Sequence, residues 1–148
     1  MKLAYLITEH KETALILKHL LHPDLVQVTE IVATSTRSSA QSLAGTLMSE
    51  RDRPVGLVLN ADTINKSVIQ EQLNLINTLL LPAASSAPYQ VFLAVPTAAS
   101  LIPQEAESPT TVPERLARLS ADQIQSIQQQ PLLQQITQFL ANAFAQAA

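Results

Sequence analysis

Between Arg53 and Thr63 an unbroken apolar run, Val55-Gly56-Leu57-Val58-Leu59, follows a proline and stops at two polar residues one position apart, Asn60 and Asp62. A strand with one solvated face would alternate polar and apolar residues. This run does not, so it reads as a strand buried on both faces. Strand side chains alternate between faces, which predicts that Asn60 and Asp62 share one. Open α/β sheets bind ligands at the carboxyl ends of their strands, and Asp62 is expected to project there, where the chain turns into the next helix.

The flanking segments alternate in type. Apolar stretches at 3–8, 26–33 and 89–95 read as three further strands. Helical spacing appears at 11–21 (Ala14, Leu15, Leu17, Leu21), up to about residue 50 (Ala40, Leu43, Ala44, Leu47) and at 66–80 (Ile69, Leu73, Ile76, Leu80). His22-Pro23-Asp24 ends the first helix, the hydroxyls of 34–39 can cap the second, and Pro82 ends the third. A small-residue loop follows at 83–88. Four prolines remove any periodicity between 96 and 113, so a loop is expected there, with room for one short turn of helix. Helices are predicted at 112–119 and 120–130, the second opened by a Ser120/Gln123 capping box, and a last helix has Pro131 in its first turn. That helix carries Leu132, Leu133, Ile136, Phe139, Leu140, Ala143 and Phe144, a wide apolar stripe. Part of it should cover the sheet; the rest either completes the core or meets a second copy.

This β-α-β-α-β-α-β order predicts one α/β domain over 1–148. Residues 1–100 would form a Rossmann-like four-stranded parallel sheet with helices on both faces, and 101–148 a loop and C-terminal helical extension. With strand order 2-1-3-4, strands one and three adjoin at the switch point. Glu9, Asn60 and Asp62 are then expected to converge in one crevice.

Composition narrows the function classes. The 148 residues are 47% hydrophobic and 14% charged, enough for one substantial core, and with 3% aromatics that core falls to Leu, Ile, Val and Ala. The lack of cysteine excludes disulfides, thiolate metal sites and a Cys nucleophile, and suits a cytoplasmic location. No apolar run approaches the roughly 20 residues that span a bilayer, so no membrane partner is expected. Residues 1–9 read as a first strand rather than a leader. A net charge of −3 argues against gripping nucleic acid by its phosphates, which takes clustered Lys and Arg. Gly45 and Gly56, the two glycines of the chain, cannot build a glycine-rich phosphate loop.

Leu6-Ile7-Thr8-Glu9-His10-Lys11, ahead of a leucine-rich helix, resembles the first motif of TOPRIM domains: a glutamate, usually followed by glycine, after strand one. Leu57-Val58-Leu59-Asn60-Ala61-Asp62-Thr63 resembles the second motif, an Asp-x-Asp at the end of strand three. Residues 34–42 are similar to the Ser/Gly-rich turn in TOPRIM domains of the overcoming-lysogenization-defect nuclease type. The resemblance spans roughly residues 1–100 and rests on short motifs. It implies a TOPRIM-type sheet and metal-dependent phosphodiester chemistry, in which acids hold Mg²⁺ and the glutamate also serves as general acid or base. Glu9 would be the catalytic residue, and Glu9, Asn60 and Asp62 the metal ligands.

The departures are specific. Asn60 stands where the first aspartate belongs and His10 where the glycine does; Thr13 takes a position where aspartate is common, and Thr97-Ala98-Ala99 lacks the acid often found after strand four. Losing a ligand charge at Asn60 makes this a degenerate metal site. The expectation is a catalytically eroded domain that works as a binding or structural interaction module, through a protein partner or self-association. No cofactor is expected beyond Mg²⁺ at a weak site. The alternative is a small Mg-dependent nuclease, a phosphodiesterase acting on nucleic acid. The residues also admit a plainer reading, in which Asn60 and Asp62 cap the next helix and Glu9 favours a helix dipole. Ser35, Ser38 and Ser39 beside Arg37 form a weaker phosphate candidate. His10, His19 and His22 lack partners at metal spacing.

Overall fold

The computed structural model describes residues 2–50, 53–81, 88–103 and 111–147. The expected loop at 83–88, Pro88 apart, and positions 104–110 of the proline-rich stretch lie outside them. The elements are β1 (Ala4–Thr8), α1 (Lys11–Leu20), α2 (Pro23–Val28), β2 (Thr29–Ala33), α3 (Arg37–Glu50), β3 (Val55–Asn60), α4 (Lys66–Leu80), β4 (Tyr89–Ala94), a 3₁₀ turn (Ala98–Leu101), α5 (Val112–Ala117), α6 (Ala121–Gln128) and α7 (Pro131–Ala147). All strand pairs are parallel, in the order β2-β1-β3-β4. β3 lies inside the sheet, and its residues Val55 to Leu59 are all buried, as its uninterrupted apolar run requires.

Strand alternation divides the interior in two. Leu6, Val58 and Phe92 face α1, α5, α6 and α7, while Ile7, Val55, Leu57 and Leu59 face α3 and α4. On the first side Phe92 meets Phe139 of α7 edge to face, with ring centroids 5.8 Å apart at 78°, a favourable aromatic geometry. Gly56 makes this approach feasible, since a Cβ there would stand 2.6 Å from Leu6 Cδ2 and 3.1 Å from Phe92 Cε2.

One expectation changes, and one open alternative narrows. The second strand is shorter than 26–33 because Pro23 starts a helix as well as ending one. Proline fits the first helical position, His22 Nδ1 accepts the N–H of Asp24 at 3.3 Å, and Asp24 suits the positive end of α2. Leu25 and Val26 pack on the core from that helix, so packing overrides the β preference of valine. Most of the apolar stripe of α7 completes the core, one of the two roles left open for it: Leu133, Ile136, Phe139, Leu140 and Ala143 are buried. Phe144 stands half exposed at its edge. The capping box of α6 forms as expected, Ser120 and Gln123 each accepting the other's backbone N–H at 3.1 and 2.8 Å. Among the described residues no helix is long and apolar enough to cross a membrane.

Gly56→Ala should cost about 1–3 kcal/mol, the usual range for overpacking a core, because Leu6 is fully buried and has little room to yield. Urea denaturation of the variant should show a lower midpoint with an unchanged slope; native stability would mean the layers are more loosely packed.

Candidate functional site

β1 ends at Thr8, and the next residue, Glu9, is 6% exposed. A carboxylate placed so deeply needs partners for its charge. Oε1 accepts the backbone N–H of Asn60 at 2.8 Å, and Oε2 lies 3.7 Å from Nε of Arg37. Arg37 opens α3. Its Nη2 donates to the carbonyl of Asn60, and its Nη1 donates to Oε1 of Gln72 on α4 at 2.8 Å. Gln72 Nε2 in turn donates to the carbonyl of Ala61 at 3.0 Å. One guanidinium thus joins the exits of β1 and β3 to two helices.

Local chemistry delivers Arg37 to that point. The backbone N–H and the hydroxyl of Thr34 both donate to the carbonyl of Thr8, each at 2.9 Å, which draws the β2–α3 turn against the end of β1. Thr36 Oγ1 then accepts the N–H of Ser39 at 3.0 Å and caps α3. The hydroxyls of this turn therefore do serve the helix start, and Arg37 beside them is committed to Glu9, Asn60 and Gln72.

The register decides what converges. Thr8 pairs with Val58, so Glu9 follows the face of Leu59, toward α3 and α4. Asn60, one residue on, turns its side chain to the α1 side. There its Oδ1 accepts the N–H of Ala98 at 2.8 Å. Glu9 therefore reaches Asn60 only through the backbone, not through the amide that was expected beside it. Asp62 departs further. The strand ends at Asn60, and Asp62 has φ 57°, with its N–H donated to the carbonyl of Pro96 at 2.8 Å. Aspartate is among the few L-residues found readily in this left-handed region. Its side chain is exposed and, among the described residues, makes no ion pair with Arg37 or any other cation. Strand alternation thus does not carry it onto the face of Asn60.

The capping expectation also shifts along the chain. Asn65 caps α4, its Oδ1 accepting the N–H groups of Ser67 and Val68 at 3.0 and 3.2 Å. Asn60 and Asp62 take no part in that cap.

Magnesium takes several oxygen ligands in near-octahedral geometry. Here Oε1 of Glu9 and Oδ1 of Asn60 already accept N–H groups, and a guanidinium stands 3.7 Å from Oε2 of Glu9. Among the described residues no group of three or more His, Cys, Asp or Glu could hold a metal ion. This donor set does not fit a magnesium centre built on paired acids. What the exits of β1, β3 and β4 enclose instead is a pocket of about 340 Å³, lined by His10, Glu12, Thr13, Asn60, Thr97 and Ala99.

Motif reading does not reach Arg37 as a partner of Glu9. The signal lies in the topology: in a 2-1-3-4 sheet the exit of β2 adjoins that of β1, and Arg37 is the cation just past it. Gln72, in mid-helix, carries no signal of its own. Comparison of the chain with protein-family models, curated proteins and solved structures gives no match.

Arg37→Ala would leave the Glu9 charge buried with one donor. It would also remove the hydrogen bonds from the guanidinium to the Asn60 carbonyl and Gln72; hydrogen bonds involving a charged group contribute about 1.5–3 kcal/mol, so a loss of about 2 kcal/mol is expected. For a chain of this size that lowers Tm by roughly 4–8 °C. Calorimetry checks it, and an unchanged Tm would show that water replaces the guanidinium without cost.

Proposed function

We propose that this chain is a catalytically silent, TOPRIM-like domain that works as a binding and association module. The observation that carries the reading is the engagement of Glu9. A general acid or metal ligand needs a free oxygen facing substrate; both Glu9 oxygens face donors of the chain itself. The net charge of −3 adds to this, since it disfavours a phosphate backbone as partner.

The association surface is α4. Val68, Leu75 and Leu79 follow one side of it, with the exposed Ile64 just ahead of its cap, and Leu75 and Leu79 are 62% and 56% exposed. The helix carries only Lys66 and Glu71 as charges, and depletion of charge marks interface cores. Beside this ridge runs an open groove of about 770 Å³ between α3 and α4, where Ser42, Gly45, Thr46 and Ser49 leave room next to Leu79. A ridge beside a groove is self-complementary under a two-fold axis, the commonest symmetry of oligomers. The occupant is a second copy of this chain.

Three measurements test the reading. Incubation with labelled DNA and RNA in Mg²⁺ or Mn²⁺ should give no cleavage above that of Glu9→Ala; metal-dependent cleavage lost in that variant would establish the nuclease alternative. Asn60→Asp should not restore divalent binding, because its carboxylate would face α1 and not Glu9. Light scattering on a sizing column should show a dimer that becomes a folded monomer in Leu75→Glu/Leu79→Glu. A native monomer at high concentration would exclude this interface.

A further inference from the structure

A half-buried cation beside the sheet has no counter-charge among the described residues. Arg115 reaches from α5 to the 3₁₀ turn, where its Nη2 donates to the carbonyl of Ile102 at 2.7 Å and to that of Ala99 at 3.4 Å. Both acceptors are neutral. Among the described residues Arg115 forms no ion pair, and its Nη1 has no hydrogen-bond partner. Its Nε is buried without a partner. A guanidinium carries its donors in a fixed fork and does not give up its charge. Held only by carbonyls, this one lacks both acceptors and an anion. Fastening the turn accounts for Nη2 alone, since Nε and Nη1 take no part in it.

The same head group stands at the wall of a cavity. Ala99 and Ile102, whose carbonyls hold Nη2, line a pocket of about 380 Å³ together with Thr97, Ser100, Pro103 and Arg115 itself. Those two hydrogen bonds place the guanidinium at that wall, and not only its alkyl stem. No carboxylate is among these lining residues. Thr97 makes no side-chain bond to the turn it precedes, which leaves its hydroxyl to a ligand. Thr97 and Ala99 also line the 340 Å³ pocket at the exits of β1 and β3, whose wall carries the polar side chains of His10, Glu12, Thr13 and Asn60. The two pockets thus adjoin outside the carboxyl ends of the strands, where open α/β sheets bind ligands.

We propose that Arg115, assisted by Thr97, binds the oxyanion of a small acid, a carboxylate or phosphate group, and that the polar body of this ligand extends into the neighbouring pocket. Arginine suits such groups because its planar fork matches their oxygens and its charge strengthens each bond. The volume is at the lower end for small-ligand sites, and the shared wall gives the rest of the ligand a place to go. This site goes beyond the association reading and does not rest on it, nor on whether the chain cleaves anything.

The test is a ¹⁵N–¹H NMR titration of the native chain with sodium acetate and, separately, sodium phosphate, at ionic strength held constant with sodium chloride. Saturable shifts centred on the Arg115 side-chain Nε–H signal and on the amides of Ala99, Ser100 and Ile102 are expected from at least one anion. Saturation by acetate identifies a carboxylate site, and saturation by phosphate alone a phosphate site. Arg115→Gln should abolish binding. Arg115→Lys keeps the charge but not the fork and should weaken binding about tenfold, equivalent to about 1.4 kcal/mol. Thr97→Val keeps the shape and should weaken it less. Dispersed spectra report which variants are folded. The proposal is overturned if neither anion does more than chloride, or if binding is unchanged in a folded Arg115 variant. It is equally overturned if saturation appears only in Glu105→Gln/Glu107→Gln, because the chain's own carboxylates would then be the partners of Arg115.

Discussion

A single buried carboxylate organises the carboxyl end of this sheet. Glu9 sits at the exit of β1, where leaving it unpaired would cost several kcal/mol. The chain meets that requirement with the N–H of Asn60 and the guanidinium of Arg37. Because Arg37 also holds the Asn60 carbonyl and Gln72, the exits of β1 and β3 are fixed to α3 and α4 by one cation. In a metal-dependent site, a divalent ion would gather the same backbone ends and acids. Here a covalently attached charge does so, and no ion is needed to offset Glu9.

The register separates this lock from everything on the other side. Glu9 follows Leu59 toward α3 and α4, and Asn60 faces α1. The lock therefore belongs to the side whose outer surface carries the exposed leucines of α4, and the pocket lined by Thr13 and Asn60 belongs to the side covered by α1 and the C-terminal helices. A shift of one residue in the β1–β3 pairing would exchange the two faces and bring the Glu9 carboxylate to the side of the Asn60 amide. The pairing of Thr8 with Val58 is thus what keeps them apart.

Much of this was legible in the residues. The unbroken Val55–Leu59 run required a doubly covered strand, and the alternation of segment types required a parallel sheet, which forms in the assumed order 2-1-3-4. Ser120 and Gln123 announced their helix start because capping is local chemistry. The misses have a common cause, in that each depends on partners distant in sequence or on a single backbone angle. Asp62 looked like a strand residue until its positive φ ended the alternation. Val26 and Val28 looked like strand residues until packing placed them in α2. The facing of Glu9 relative to Asn60 depends on the inter-strand register, which neither strand carries in its own residues. Arg37 was visible as a charge but joined to Glu9 only once β2 and β1 were neighbours.

Paramagnetic broadening by dilute Mn²⁺ tests most directly whether Glu9 belongs to its internal partners. In ¹⁵N–¹H spectra of the native chain, the amides of residues 8–10 and 60 should be broadened no more than those near exposed acids such as Glu30 and Asp122. Selective broadening centred on Glu9 at sub-stoichiometric Mn²⁺, lost in Glu9→Gln, would contradict the account and return the carboxylate to a metal.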